Sequence, residues 1–370
     1  MYKTLLVILL AIFIVPLKAQ EPAAATEALE PDTLLEKSKG FIILPLLYYT
    51  PDTRLGFGAM GAYYFKLADE ESGESTRLSY IKGLADYTQN KQVDVWSSWS
   101  IFLKQEKYIV KGQFRYRNFP DRYYGIGNNT IEEADERYQY DLFSIRKLVL
   151  KKIGPEIFAG FDYAFNYLYN METFGPMLNS GNVTGSRGGI NSGAGLVFLI
   201  DKRDNVVNAT KGYFFEASSY YYGRALGSSF SFNNYGIVFN KYKEIHKGHI
   251  IASNTILNLN TGDPPFVDLA PVGGDEILRG YARNRFRDMN FAGTQAEYRF
   301  PIYKRFGGVA FAGVGDVFNS VSDIQWDLLK YSYGTGLRFA VNRKERMNLR
   351  FDYGWGRGNQ SFYLMITEAF

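Results

Sequence analysis

The chain has 370 residues, no cysteine, two histidines and a formal net charge of +4. Lack of cysteine excludes disulfides and thiolate metal sites, and a nearly neutral charge gives no general case for binding nucleic acid. Beyond the first twenty residues no apolar run reaches the roughly 20 residues of a bilayer-spanning helix, yet 17% of the chain is aromatic, with 29 Tyr and 29 Phe.

The N-terminus reads as a secretory signal over residues 1–19. Lys3 supplies a positive charge, Leu5 to Val15 form a short apolar run, and Leu17-Lys18-Ala19 offers small or neutral positions before Gln20. No Cys follows, which excludes a lipid-anchored lipoprotein. Removing the signal takes Lys3 and Lys18 and lowers the net charge to about +2. Residues 20–39 are acidic and rich in Ala and Pro, and read as a short periplasmic linker.

From residue 40 to 370 the pattern has period two. Tyr108, Val110, Phe114 and Tyr116 share one face of a strand, with Lys111, Gln113, Arg115 and Arg117 on the other. Ile157, Phe161, Tyr163, Phe165, Tyr167 and Tyr169 form the apolar face of the next segment but one. Met347, Leu349, Phe351, Tyr353 and Trp355 oppose Asn348, Arg350 and Asp352. Such alternation marks half-buried strands. At about 20 residues per strand and connection, this stretch holds about 16 strands. Short connections near residues 105–107, 154–156, 246–248 and 342–345 alternate with long ones at 121–136, 172–187, 261–290 and 320–330. Short turns on one side and long loops on the other describe a transmembrane antiparallel β-barrel, with aromatic girdles at both interfaces. An even strand number returns the chain to the side where it began. Its last strand carries Phe362, Leu364, Ile366 and Phe370 on one face, interrupted by Glu368, and resembles the C-terminal insertion signal of outer-membrane barrels.

Four segments, in order, resemble the BamA/TamA-type bacterial surface antigen superfamily. The first is LIDKRDNVVNATKGYFFEAS, with Asp201, Arg203, Asp204, Asn205 and Gly212 in the family's turn motif and Ala209 where relatives usually have Pro. The second is the loop from Gly273 to Tyr281, carrying Leu278, Arg279, Gly280 and Tyr281. The third is AEYRFPI, and the fourth is the pair FAGVGDVF and LRFDYGWG. The resemblance implies an all-β fold whose long external loop folds back into the lumen, where Arg279 meets acidic side chains. Glu297 lies on the polar side of its strand and is the first candidate partner. Relatives often carry a second acid at the position of Gly313. Here Asp316 has the wrong parity, so Asp352, inward by alternation, is the second candidate. Gly280 suits a position closed to any Cβ.

Nothing in the chain points to an enzyme. His246 and His249 flank a turn, and their spacing places them on opposite faces of a strand. No G-x-S-x-G, nucleotide loop or EF-hand spacing occurs, so neither a metal nor a cofactor is expected. The resemblance implies an integral protein of the Gram-negative outer membrane, exported through the Sec pathway. It would sit in lipid and lipopolysaccharide and assist assembly or translocation of proteins or lipids. The roughly 20 residues before the barrel are too few for POTRA domains, so separate periplasmic or outer-membrane partners are expected. The alternative is a channel or a scaffold without insertase activity.

Overall fold

The computed structural model describes residues 39–50, 54–67, 77–131 and 135–370. The signal segment, and the linker up to residue 38, lie outside the described residues. The strands are β1 (Gly40–Thr50), β2 (Arg54–Phe65), β3 (Ser79–Thr88), β4 (Val93–Leu103), β5 (Tyr108–Tyr123), β6 (Glu136–Gly154), β7 (Ile157–Thr173), β8 (Gly189–Asp201), β9 (Gly212–Tyr222), β10 (Ser231–His246), β11 (His249–Asp263), β12 (Ala270–Val272), β13 (Phe286–Asp288), β14 (Asn290–Tyr303), β15 (Phe306–Phe318), β16 (Lys330–Asn342), β17 (Met347–Gly356) and β18 (Asn359–Ile366). Sixteen of them form one antiparallel sheet in chain order. β12 and β13 pair separately, inside the long connection from β11 to β14.

Alternation along the strands sets the two faces. Phe161, Leu196 and Leu337 are exposed on the outer wall, whereas Asp162, Val197 and Arg338 point inward. An apolar outer wall is what a bilayer requires of a barrel. The edges of the sheet are brought together at the short-turn end. Asn342 Nδ2 donates to the Tyr64 hydroxyl at 3.3 Å, Lys66 pairs with Glu345 at 3.0 Å, and Ala62, Tyr64, Met347 and Ile366 share one buried cluster.

The interior is not uniformly polar. Phe102, Ile109, Leu150, Phe158, Val197 and Leu199 form an apolar core inside the wall. In β8 both faces are apolar, so the run Leu196 to Ile200 loses the polar alternation seen in β17.

The lumen is filled from both ends. The β11–β14 connection enters from the long-loop end, and its Ala270, Val272, Ile277, Leu278, Tyr281 and Phe286 pack on Phe291 and Val317 of the wall. From the other end, the β8–β9 turn sends Val207 into the cluster joining the sheet edges and Ala209 onto Tyr242 and Ala252.

Candidate functional site: an arginine-tipped loop in the lumen

The loop tip is fixed by backbone shape as much as by charge. Gly280 has φ +123°, and a Cβ there would lie 2.6 Å from the backbone of Trp355. Its N–H donates to the Tyr363 hydroxyl at 3.0 Å. β17 receives the tip through its own glycines: a Cβ on Gly354 would lie 2.6 Å from the Arg279 carbonyl oxygen, and one on Gly356 would meet the Tyr281 ring at the same distance. Tyr281 then bridges two elements, since its hydroxyl donates to the Tyr331 carbonyl and accepts from the Arg357 N–H, both at 3.0 Å.

Arg279 is wholly buried. One guanidinium nitrogen donates to Glu297 on β14 and another to Asp352 on β17, the latter at 2.5 Å. Its flat face lies 3.7 Å from the centre of the Phe311 ring on β15. Two acids on different strands share one planar fork, a geometry that a lysine could not supply. The acids are themselves held. Arg299 donates to Glu297 at 2.7 Å, and Arg338 to Asp352 at 2.5 Å. Arg350 lies 3.7 Å from Asp352 and donates to the Asp275 carbonyl at 3.2 Å. A charge cluster this dry persists only when its members satisfy one another.

Gly313 carries no acid because the space is taken: a Cβ there would approach Leu278 to 3.1 Å and the Gln295 side chain to 2.8 Å. Asp316 lies away from the arginine, accepting from Lys330 and Asn128 at 3.1 Å each.

The turn-motif residues build the lumen floor. Asp201 accepts from Arg203 Nε at 2.8 Å and from Arg77 at 2.7 Å. Arg203 stacks 4.6 Å over Phe214. Asp204 accepts from Thr210 and pairs with Arg346 at 2.5 Å, and Asn205 accepts the N–H groups of residues 207 and 208 at 2.8 Å. Burial opposes ionisation of Asp204, but its hydrogen bonds outweigh it and hold its pKa at about 2. Gly212 has φ +93°, and the Lys202 carbonyl oxygen occupies the space that a Cβ would need.

Two placements differ from expectation. Of the four residues at the end of the chain, Phe362 stacks on Phe351 of the neighbouring strand and Leu364 is half-exposed. Ile366 is buried at the sheet edges, and Phe370 turns inward onto Tyr242. The ladder ends at Ile366, and Thr367 has φ +81°. Alternation therefore stops before Glu368, which reaches inward to accept from Arg338 at 2.7 Å and Asn348 at 2.8 Å. His246 and His249, expected on opposite faces, are instead paired directly across the β10–β11 turn. The turn between them cancels strand parity. His249 shares a 2.7 Å hydrogen bond with Tyr298. Among the described residues no three His, Cys, Asp or Glu side chains converge to hold a metal.

Residues that sequence reasoning did not assign include Arg338, Glu368 and Tyr363. Arg338 is inward by the alternation of β16 and was legible in principle. Glu368 carries no such signal, because it lies beyond the strand.

Fold and site together define an outer-membrane β-barrel whose lumen is occupied by its own loop. The chain belongs to the Omp85 superfamily: the sequence model of the Omp85 superfamily domain matches residues 77–370. Barrels of this superfamily reside in the outer membrane and serve assembly and transport rather than enzymatic chemistry. Among solved structures, BamA from Haemophilus ducreyi lacking POTRA domains 1–3 superposes with a TM-score of 0.54 at 13% identity, covering 89% of this chain and 69% of that one. Wzi, an outer-membrane protein involved in group 1 capsule assembly in Escherichia coli and a carbohydrate-binding β-barrel, covers 90% of this chain and 83% of its own at 9% identity. Its TM-score is 0.35. No curated protein sequence matches the chain.

Proposed function

We propose that this barrel assists assembly or translocation of proteins or lipids at the outer membrane, after Sec-dependent export. In this reading it sits in phospholipid and lipopolysaccharide and works with separate periplasmic or outer-membrane protein partners. The observation that carries the reading is the loop tip, bonded by one buried guanidinium to β14 and β17. That attachment favours a barrel that holds its lumen shut over a pore that holds it open, and it couples the loop to the last strands of the sheet. Asp201, Arg203, Asp204, Asn205 and Gly212 maintain the floor, while Phe362, Leu364, Ile366 and Phe370 serve recognition during the barrel's own insertion.

The test pairs electrical recording with capture. In planar bilayers the wild-type protein should pass little steady current, and Arg279→Ala should open large, fluctuating conductances. Crosslinking in native outer membranes should recover periplasmic or outer-membrane proteins with the wild type. Large, steady wild-type conductance without captured proteins would favour a channel instead.

A further inference from the structure

Beside the loop lies a cavity of about 660 Å³. Its wall includes Arg115 and Arg117 of β5, Tyr140 of β6, and Arg283 and Arg287 of the loop. The first two arginines are provided for. Arg115 donates to Asp94 at 2.9 Å, and Arg117 lies 3.6 Å from the same acid.

Arg287 is not. It is only 2% exposed, and its Nη1 donates to the Phe266 carbonyl at 3.0 Å. The Tyr138 hydroxyl lies against the guanidinium, but Nε and Nη2 find no hydrogen-bond partner, and no carboxylate lies within ion-pair distance among the described residues. The rings of Phe266 and Tyr123 stand 5.4 and 5.7 Å away and hold the group in place. Arg283 is exposed and likewise makes no ion pair among the described residues. A buried guanidinium with unmet donors is costly unless something supplies acceptors.

Four carboxylates share the cavity: Asp121 pairs with Arg117 at 4.0 Å, Glu276 faces Arg283 without a close ion pair, and the other two are engaged elsewhere. Asp268 accepts from Asn191 at 2.6 Å, and Asp275 lies 3.6 Å from Arg350. They border the same space as Asn166 and Asn258. Unionised hydroxyl groups suit such acceptors and amides. The volume is far larger than one phosphate ion and falls within the range of small-molecule sites.

We propose that the lumen binds a sugar bearing an oxyanion, with its phosphate or carboxylate at Arg283 and Arg287 and its hydroxyls along the Asn and Asp side chains. This goes beyond the assembly role and does not depend on it. The probe is glucose 1-phosphate, titrated calorimetrically into the full chain in neutral detergent, with glucose and inorganic phosphate in parallel. Glucose 1-phosphate should bind at least about tenfold more tightly than either, and more weakly as salt rises. Arg287→Gln should weaken it about tenfold, and the exposed Arg283→Gln severalfold. If Arg287→Gln does not fold, Arg283→Gln decides the matter. Absence of binding by the wild type, equal affinity for glucose, or an affinity untouched by Arg283→Gln would overturn the proposal.

Discussion

Arg279 derives its importance from being shared. Removing Arg279 leaves Glu297 with Arg299 and Asp352 with Arg338, and removing Glu297 leaves Arg279 with Asp352, so each loss should cost up to the roughly 3–5 kcal/mol of a fully orphaned buried charge. Arg279→Ala and Glu297→Ala should each lower the temperature at which the purified barrel loses its compact migration on gels. The double variant should cost little more than either single change, and simple additivity would mean that the pair contributes nothing. Asp268 offers a pH-dependent counterpart. Burial raises its pKa to about 6, with the Asn191 hydrogen bond working against the rise. Between about pH 4 and 6 the folded state therefore binds a proton that the unfolded chain releases, and stability climbs as pH falls through that window. Asp268→Asn should stabilise the loop near neutral pH, by on the order of 1–2 kcal/mol because part of the side chain still meets water. Thermal melts at several pH values should show that gain disappearing below about pH 4. Glu297 and Asp352 are legible in the sequence, because strand parity turns both inward. Arg338 was legible in principle from the parity of β16, but Glu368 was not, because it lies beyond the end of the last strand.

The strands themselves were the most legible elements. Their number follows from a two-residue period that charges and aromatics make visible in β5, β7 and β17, whereas the alternation of short and long connections holds only in part, since β8 and β9 are joined by a long turn and β17 and β18 by a short one. β8 is less transparent, because its inner residues pack against Phe158 and Phe214 and are as apolar as its outer ones. The β12–β13 hairpin was hidden inside a loop, as three-residue strands are too short to show a period. The end of the chain misled parity through a single residue with positive φ. Loop seating can be tested at Gly280. Gly280→Ala forces a Cβ into the β17 backbone and should cost about 1–3 kcal/mol of local strain. Limited trypsin digestion should then cut at Arg279 or Arg283 in the variant well before the intact wild type, with the barrel strands still protected. Equal cleavage rates would mean that the tip is not held against β17.

At the scale of the whole molecule, the barrel depends on a contact between its first hairpin and its last three strands. Tyr64, Lys66 and Ala62 meet Asn342, Glu345, Met347 and Ile366 at the short-turn end. A Lys66→Cys, Glu345→Cys double variant, treated in membranes with a short thiol-bridging reagent, should give one internally linked species that resists heat-induced unfolding. Failure to link, with both thiols reactive, would show that the edges stand apart in the bilayer.

One acid that anchors Arg279 sits 73 positions later in the chain, on the penultimate strand. Earlier strands offer the tip only Glu297 and the Phe311 ring, so the glycine-lined seat and the second acid are missing until the penultimate strand is in place, and full docking requires a nearly finished wall.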